Sequence, residues 1–272
     1  MLGKLMKYEL KATKRIMLPA ILVLLLISLF NRLFWGLVAP HFDGSNIIIN
    51  LFGTIGVSAY VLGIIGIFIL SALLCIVRFY KTDLSNEGYL THTLPINIGK
   101  EIISKITIGT FWIVVTGIAV ILSLFVTLFM VGSVTSFDFS SFMQDMKVFV
   151  TSDYMSSFLV VMFYLFIILV MGCANKILAV YASMAIGFSS NKNKILMSFA
   201  AYIGISLLTT FAVTVLGFVF ASPISNLLLG LHLSDIVMAH VVFIGIILYL
   251  LVLNAVYFFI TKYFFENKLN LE

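Results

Sequence analysis

Charge is what this sequence has least of. Asp, Glu, Lys and Arg make up 10% of its 272 residues, against about 25% in an ordinary soluble domain. That is too little to coat a water-facing globule. With 62% hydrophobic residues there is also too little polar sequence for a disordered chain. Cysteine is scarce as well. Cys75 and Cys173 each sit in an apolar run with no CxxC neighbour, and both read as small hydrophobes. Acids are outnumbered, eleven against sixteen Lys and Arg. In so oily a chain that surplus points to the anionic inner leaflet of a membrane rather than to nucleic acid.

Catalytic signatures are missing too. Gly99-Lys100-Glu101 has Leu94 where a phosphate-binding loop needs its first glycine, and Glu where it needs Ser or Thr. The four histidines, His41, His92, His232 and His240, are scattered, with no HExxH. No GxSxG nucleophile elbow occurs. No pair of acids lies inside an apolar stretch, where ion-coupled carriers keep theirs. The chain reads as a non-enzyme with no cofactor and no metal.

What is there is long uncharged sequence. Residues 16–31, 44–77, 106–137, 154–175, 195–234 and 236–261 contain no Asp, Glu, Lys or Arg. A crossing needs about 20 apolar residues. Six transmembrane helices fit, near 16–38, 50–77, 103–133, 156–187, 196–219 and 237–261. Runs such as Ile64-Ile65-Gly66-Ile67-Phe68-Ile69-Leu70 do not alternate in polarity, which excludes barrel strands. The expected fold is an all-α membrane protein with 1–272 as a single transmembrane domain. With the N-terminus inside, thirteen of the sixteen basic residues fall in cytoplasmic segments and two, Arg32 and Lys147, outside. The positive-inside rule then makes both termini cytoplasmic. The basic, then apolar start mimics a signal peptide, but no small-residue cleavage site follows Phe30, so an uncleaved first helix is expected. Arg32 falls about 24 Å along that helix, near the outer interface beside Trp35.

Four segments are more than greasy helix. In 1–15, Leu2, Leu5, Met6 and Leu10 share one side at helical spacing, and Lys4, Lys7, Lys11 and Lys14 form a stripe on another. That pattern predicts an amphipathic helix in the interface plane with its lysines at the head groups. Segment 78–105 holds seven charges between the uncharged windows 44–77 and 106–137. Helices that long reach about 50 Å against a core of about 30 Å, so their inner ends are expected to project as a cytoplasmic loop. Asn97 fits as the N-cap of the returning helix, with Glu101 in its first turns. Tyr89, Leu90 and Leu94 either pack back on their own helices or form a knob for a cytosolic partner. Lys176 shares a helical face with Gly172, Ala179, Ser183 and Gly187, so it either faces protein or snorkels to the inner boundary. Finally, 195–234 is too long for one crossing and too short for two. Ser222-Pro223 is expected to break it and leave 220–236 as a re-entrant extracellular segment. The outer loop 135–154 is polar and expected to be solvated.

Three stretches carry a family resemblance: Leu2-Gly3-Lys4-Leu5-Met6-Lys7-Tyr8-Glu9-Leu10-Lys11-Ala12-Thr13, Glu87-Gly88-Tyr89-Leu90-Thr91-His92-Thr93-Leu94-Pro95 followed by Ser104-Lys105, and Asn191-Lys192-Asn193-Lys194. With these the chain resembles an ABC-2 type transporter permease subunit of Gram-positive bacteria. In that family the third stretch more often reads Asn-Lys-His-Arg. The resemblance implies an elbow helix at 1–15, a coupling loop at 78–105 docking on a separate ABC ATPase subunit, and a second permease copy or sister permease. It gives a multi-pass cell-membrane protein exporting amphipathic peptides, drugs or other hydrophobic compounds. The expected ATPase-docking residues are Asp83, Glu87, Tyr89, Leu90, His92 and Leu94. A non-transporting membrane scaffold or sensor partner is the alternative. A secondary carrier would predict an internal repeat, and none is evident between 1–134 and 135–272.

Overall fold

The computed structural model describes residues 2–38, 41, 46–85, 97–128, 140, 144, 147–148, 150, 154–190, 193–230 and 235–268. Apolar side chains on every face leave the backbone only one economical way to satisfy its N–H and C=O groups in lipid, which is helix. Accordingly α1 spans Leu2–Leu33 and ends in a π-helical turn, Phe34–Val38. Helix α2 spans Ile47–Phe79 and ends in a second π-helical turn, Tyr80–Leu84. They are followed by α3 (Ile98–Leu128), α4 (Tyr154–Gly187), α5 (Lys194–Gly230) and α6 (Asp235–Asn267). Among the described residues, six stretches are long and apolar enough to cross a membrane, as a multi-pass membrane protein requires.

Two boundaries differ from expectation. Helix α1 is continuous, so no break separates 1–15 from the first crossing. Pro19 lies inside it and deprives the Arg15 carbonyl of its helical donor without ending the helix. Helix α5 likewise runs through Ser222-Pro223 to Gly230, so the turn expected there is absent. In apolar surroundings, losing one hydrogen bond at proline costs less than exposing the unpaired groups of a broken helix. The solvated loop expected at 135–154 lies mostly outside the described residues.

The chain divides into two compact units, one from Gly3–Cys75 with Phe111–Met155, the other from Ile76–Thr110 with Ser156–Glu272. In the first, Leu24, Tyr60, Ile67 and Val120 form a buried cluster, with Ala20, Ile21, Ile27 and Ile64 against it. Neutral hydrogen bonds stitch its helices. Tyr60 Oη and Ser123 Oγ lie 2.8 Å apart, the Trp112 indole donates to Thr13 Oγ1 at 2.7 Å, and Asn31 Nδ2 donates to the Gly56 carbonyl at 2.9 Å. Gly56 permits that last approach, since a Cβ there would stand 2.7 Å from Asn31 Oδ1. Arg32 is half-buried at the end of α1.

In the second unit, Leu178, Ala179, Ala182 and Tyr257 are buried together, with Ile106, Ile205, Phe258 and Ile260 against them. Asn254 Nδ2 on α6 donates to the Met171 carbonyl on α4 at 3.2 Å. The chain turns tightly as α4 ends. Ser189 and Ser190 N–H groups donate to the Ile186 and Gly187 carbonyls, each at 3.2 Å, and Asn193 adopts φ 51° before α5 begins. Asparagine tolerates that left-handed conformation better than most residues. Gly187 is required where α4 meets α5, because a Cβ would overlap the Ser198 backbone.

Candidate functional site

The ends of the 78–105 segment converge on a buried ion cluster. Asp83 lies on the π-helical turn that closes α2, and Lys105 lies in the second turn of α3. Their side chains form an ion pair, and Lys105 Nζ also donates to Glu101 Oε1, one turn earlier, at 3.0 Å. Asp83 is 2% and Lys105 5% exposed. An ammonium this deep is tolerable only when paired and hydrogen-bonded, and here two carboxylates meet one cation.

An aromatic wall backs the pair. Phe79 stacks on Tyr181 of α4 with centroids 3.8 Å apart and planes within 5°, and Phe265 of α6 tilts against it at 5.4 Å. Lys105 Nζ stands 5.9 Å from the Phe79 centroid, in cation–π range. All three rings are buried. The last turns of α2 and the first of α3 are thereby held against α4 and α6.

Local sequence explains both arms. Thr82 Oγ1 donates to the Arg78 carbonyl at 2.8 Å and Ser85 Oγ to the Lys81 carbonyl at 2.6 Å, occupying carbonyls at the widened end of α2. Ser85 then turns extended at φ −98°, ψ −172°, and the helix stops. On the other arm Asn97 caps α3 as expected. Its Oδ1 accepts the Gly99 N–H at 2.9 Å, and its carbonyl accepts the Lys100 N–H at 2.9 Å. That cap sets the helical phase that brings Glu101 and Lys105 onto one face, four residues apart.

The expected docking residues are placed unequally. Asp83 is not on a surface: burial and its pairing with Lys105 withdraw it from any partner, and it belongs to the stem instead. Glu87, Tyr89, Leu90, His92 and Leu94 lie outside the described residues. Lys4, Lys7, Lys11 and Lys14 are all exposed on α1, while Leu2, Leu5, Met6 and Leu10 are half-buried. Lys176 is exposed, although Ala179, Ser183 and Gly187 on its face are buried. Close packing around α4 begins near Asn175: the described residues of α4 before it are half-buried or exposed, and most of those after Lys176 are buried.

Sequence reasoning missed Lys105, Phe79 and Tyr181 as one cluster. The available signal was Glu101 and Lys105 at i,i+4, standing at the head of the uncharged window 106–137. Among the described residues no group of His, Cys, Asp or Glu could hold a metal ion. Comparison with known proteins adds no relative: no family model, no curated protein and no solved structure matches the chain.

Proposed function

We infer that the chain is the membrane-spanning permease subunit of an ATP-binding cassette exporter, powered by a separate ATPase subunit that grips the tip of the 78–105 segment. One observation carries the reading. The stem beneath that tip is a buried ion cluster fastening the ends of two membrane helices to each other and to an aromatic wall. A segment so anchored delivers a push or pull to α2 and α3 rather than dissipating it in slack.

The residues assigned to the grip are Glu87, Tyr89, Leu90, His92 and Leu94, with Asp83 holding the stem. The charge bias puts the segment and both termini in the cytoplasm. The exposed Lys4, Lys7, Lys11 and Lys14 then face the head groups of the cell membrane. When the ATPase subunits close on ATP, the tip moves with them, and that differential contact shifts the helices between two states. A second permease copy or a sister permease completes the pathway, and the cargo is an amphipathic peptide, drug or other hydrophobic compound.

The test is co-expression with a candidate ABC ATPase subunit. Deleting residues 87–94, with Asp83 kept, is expected to abolish co-purification of the ATPase and cargo-stimulated hydrolysis while the permease still inserts. Unchanged co-purification rejects the reading.

A further inference from the structure

We propose that the first unit holds a binding site for one anionic phospholipid along α1, with the lipid phosphate on Arg32. An arginine that only snorkels turns its whole head group to water. Arg32, in the last turn of α1, does not. Its Nη1 is shut in by protein and has no hydrogen-bond partner, while the rest of the guanidinium is not enclosed. Among the described residues no carboxylate pairs with it. A cation that is part-shielded and unpaired costs free energy until an anion meets it, and the open edge of the guanidinium is where one can.

The surface leading to Arg32 says which anion. Leu18, Leu22, Leu25, Leu29 and Arg32 follow one another at helical spacing and share one face of α1. Leu18, Leu22 and Leu29 are exposed, and Leu25 is half-buried. From Leu22 to Arg32 the axis runs about 15 Å, the depth of one leaflet in a core about 30 Å thick. The face is therefore an aliphatic track of acyl-chain length that ends on a cation. A free inorganic anion would use the cation alone, whereas a phospholipid uses both parts. Aromatic rings mark the head-group level. Trp35, in the next turn, meets Phe34 edge-on at 5.7 Å, and Phe34 stacks on Phe30 at 6.1 Å, and an indole prefers the membrane interface. Two phosphate oxygens match the guanidinium fork, and the acyl chain runs along Leu29, Leu25 and Leu22. The quaternary ammonium of a zwitterionic choline head group would be repelled by the same guanidinium.

The site requires no ATPase and stands apart from the transport reading, so the test uses the full chain alone. The chain has two tryptophans, so Trp112→Phe leaves Trp35, one turn from Arg32, as the sole fluorophore. The protein is reconstituted into vesicles of one part phosphatidylglycerol to two parts phosphatidylcholine, with bromine on the acyl chain of one lipid or the other. Quenching of Trp35 per brominated lipid is expected to favour phosphatidylglycerol about fivefold, the equivalent of about 1 kcal/mol for one basic residue. That preference should vanish in Arg32→Gln and persist in Arg32→Lys, which keeps the charge. Added inorganic phosphate should leave it unchanged relative to chloride of the same ionic strength. If phosphate erases it, the site takes the free ion and the leucine track plays no part, which overturns the proposal. Equal quenching by both lipids, quenching by neither because protein covers the face, or a preference that survives Arg32→Gln overturns it too. Should Trp112→Phe fail to insert, native mass spectrometry of the parent, Arg32→Gln and Arg32→Lys counts the phosphatidylglycerol each retains from the same mixture. Equal retention by all three overturns it as well.

Discussion

The two units hold their helices together by different means. The first relies on neutral donors and acceptors: the Tyr60–Ser123 hydroxyls, the Trp112 indole on Thr13, and the Asn31 amide on the Gly56 carbonyl. The second, where α2 ends and α3 begins, relies on three ionisable groups. A neutral bond between membrane helices averages about 0.6 kcal/mol, because the separated helices find other partners. An ion cluster behaves otherwise. Removing one member strands a buried charge at about 3–5 kcal/mol, while replacing the whole set by apolar groups is often close to neutral. The first arrangement tolerates loss piecemeal. The second holds its geometry only while every member is present.

Lys105→Met is expected to have the largest effect, lowering stability by about 3–5 kcal/mol because Asp83 loses its cation inside the unit. The midpoint of SDS-induced unfolding measures it. Adding Asp83→Leu and Glu101→Gln to the same chain should recover most of the loss. Failure to recover would mean that the pair stabilises outright, and the contrast would be one of strength rather than kind. Thr13→Val comes next, at about 1–2 kcal/mol, since it keeps the shape but leaves the Trp112 N–H without its acceptor. Tyr60→Phe should be smallest, at about 0.6 kcal/mol, because Ser123 Oγ retains the Val120 carbonyl at 2.8 Å. If Tyr60→Phe matched Lys105→Met in the same titration, the distinction between the units would be lost.

The crossings were legible because uncharged windows longer than about 20 residues have few alternatives. The Asn97 cap was legible too, being a local signal with its target two residues away. Long-range features were not. The partner of Asp83 lies 22 residues further on, beyond a segment whose path sequence pattern does not describe. The exposure of Lys176 depends on where along α4 its neighbours begin, and helical periodicity gives the angle around an axis, not the position along it. Proline signals were over-read at Ser222-Pro223, because the penalty familiar from water is weighed differently where a broken helix has no solvent to turn to.

The bond from Lys105 to Asp83 closes a non-covalent ring of chain around residues 84–104. Because the ring is already shut, the entropy of bringing its two feet together need not be supplied again when something takes hold of the apex. A load applied there is shared by both feet from the first ångström of travel. Cutting the clasp would free its two feet, Asp83 and Lys105, from each other.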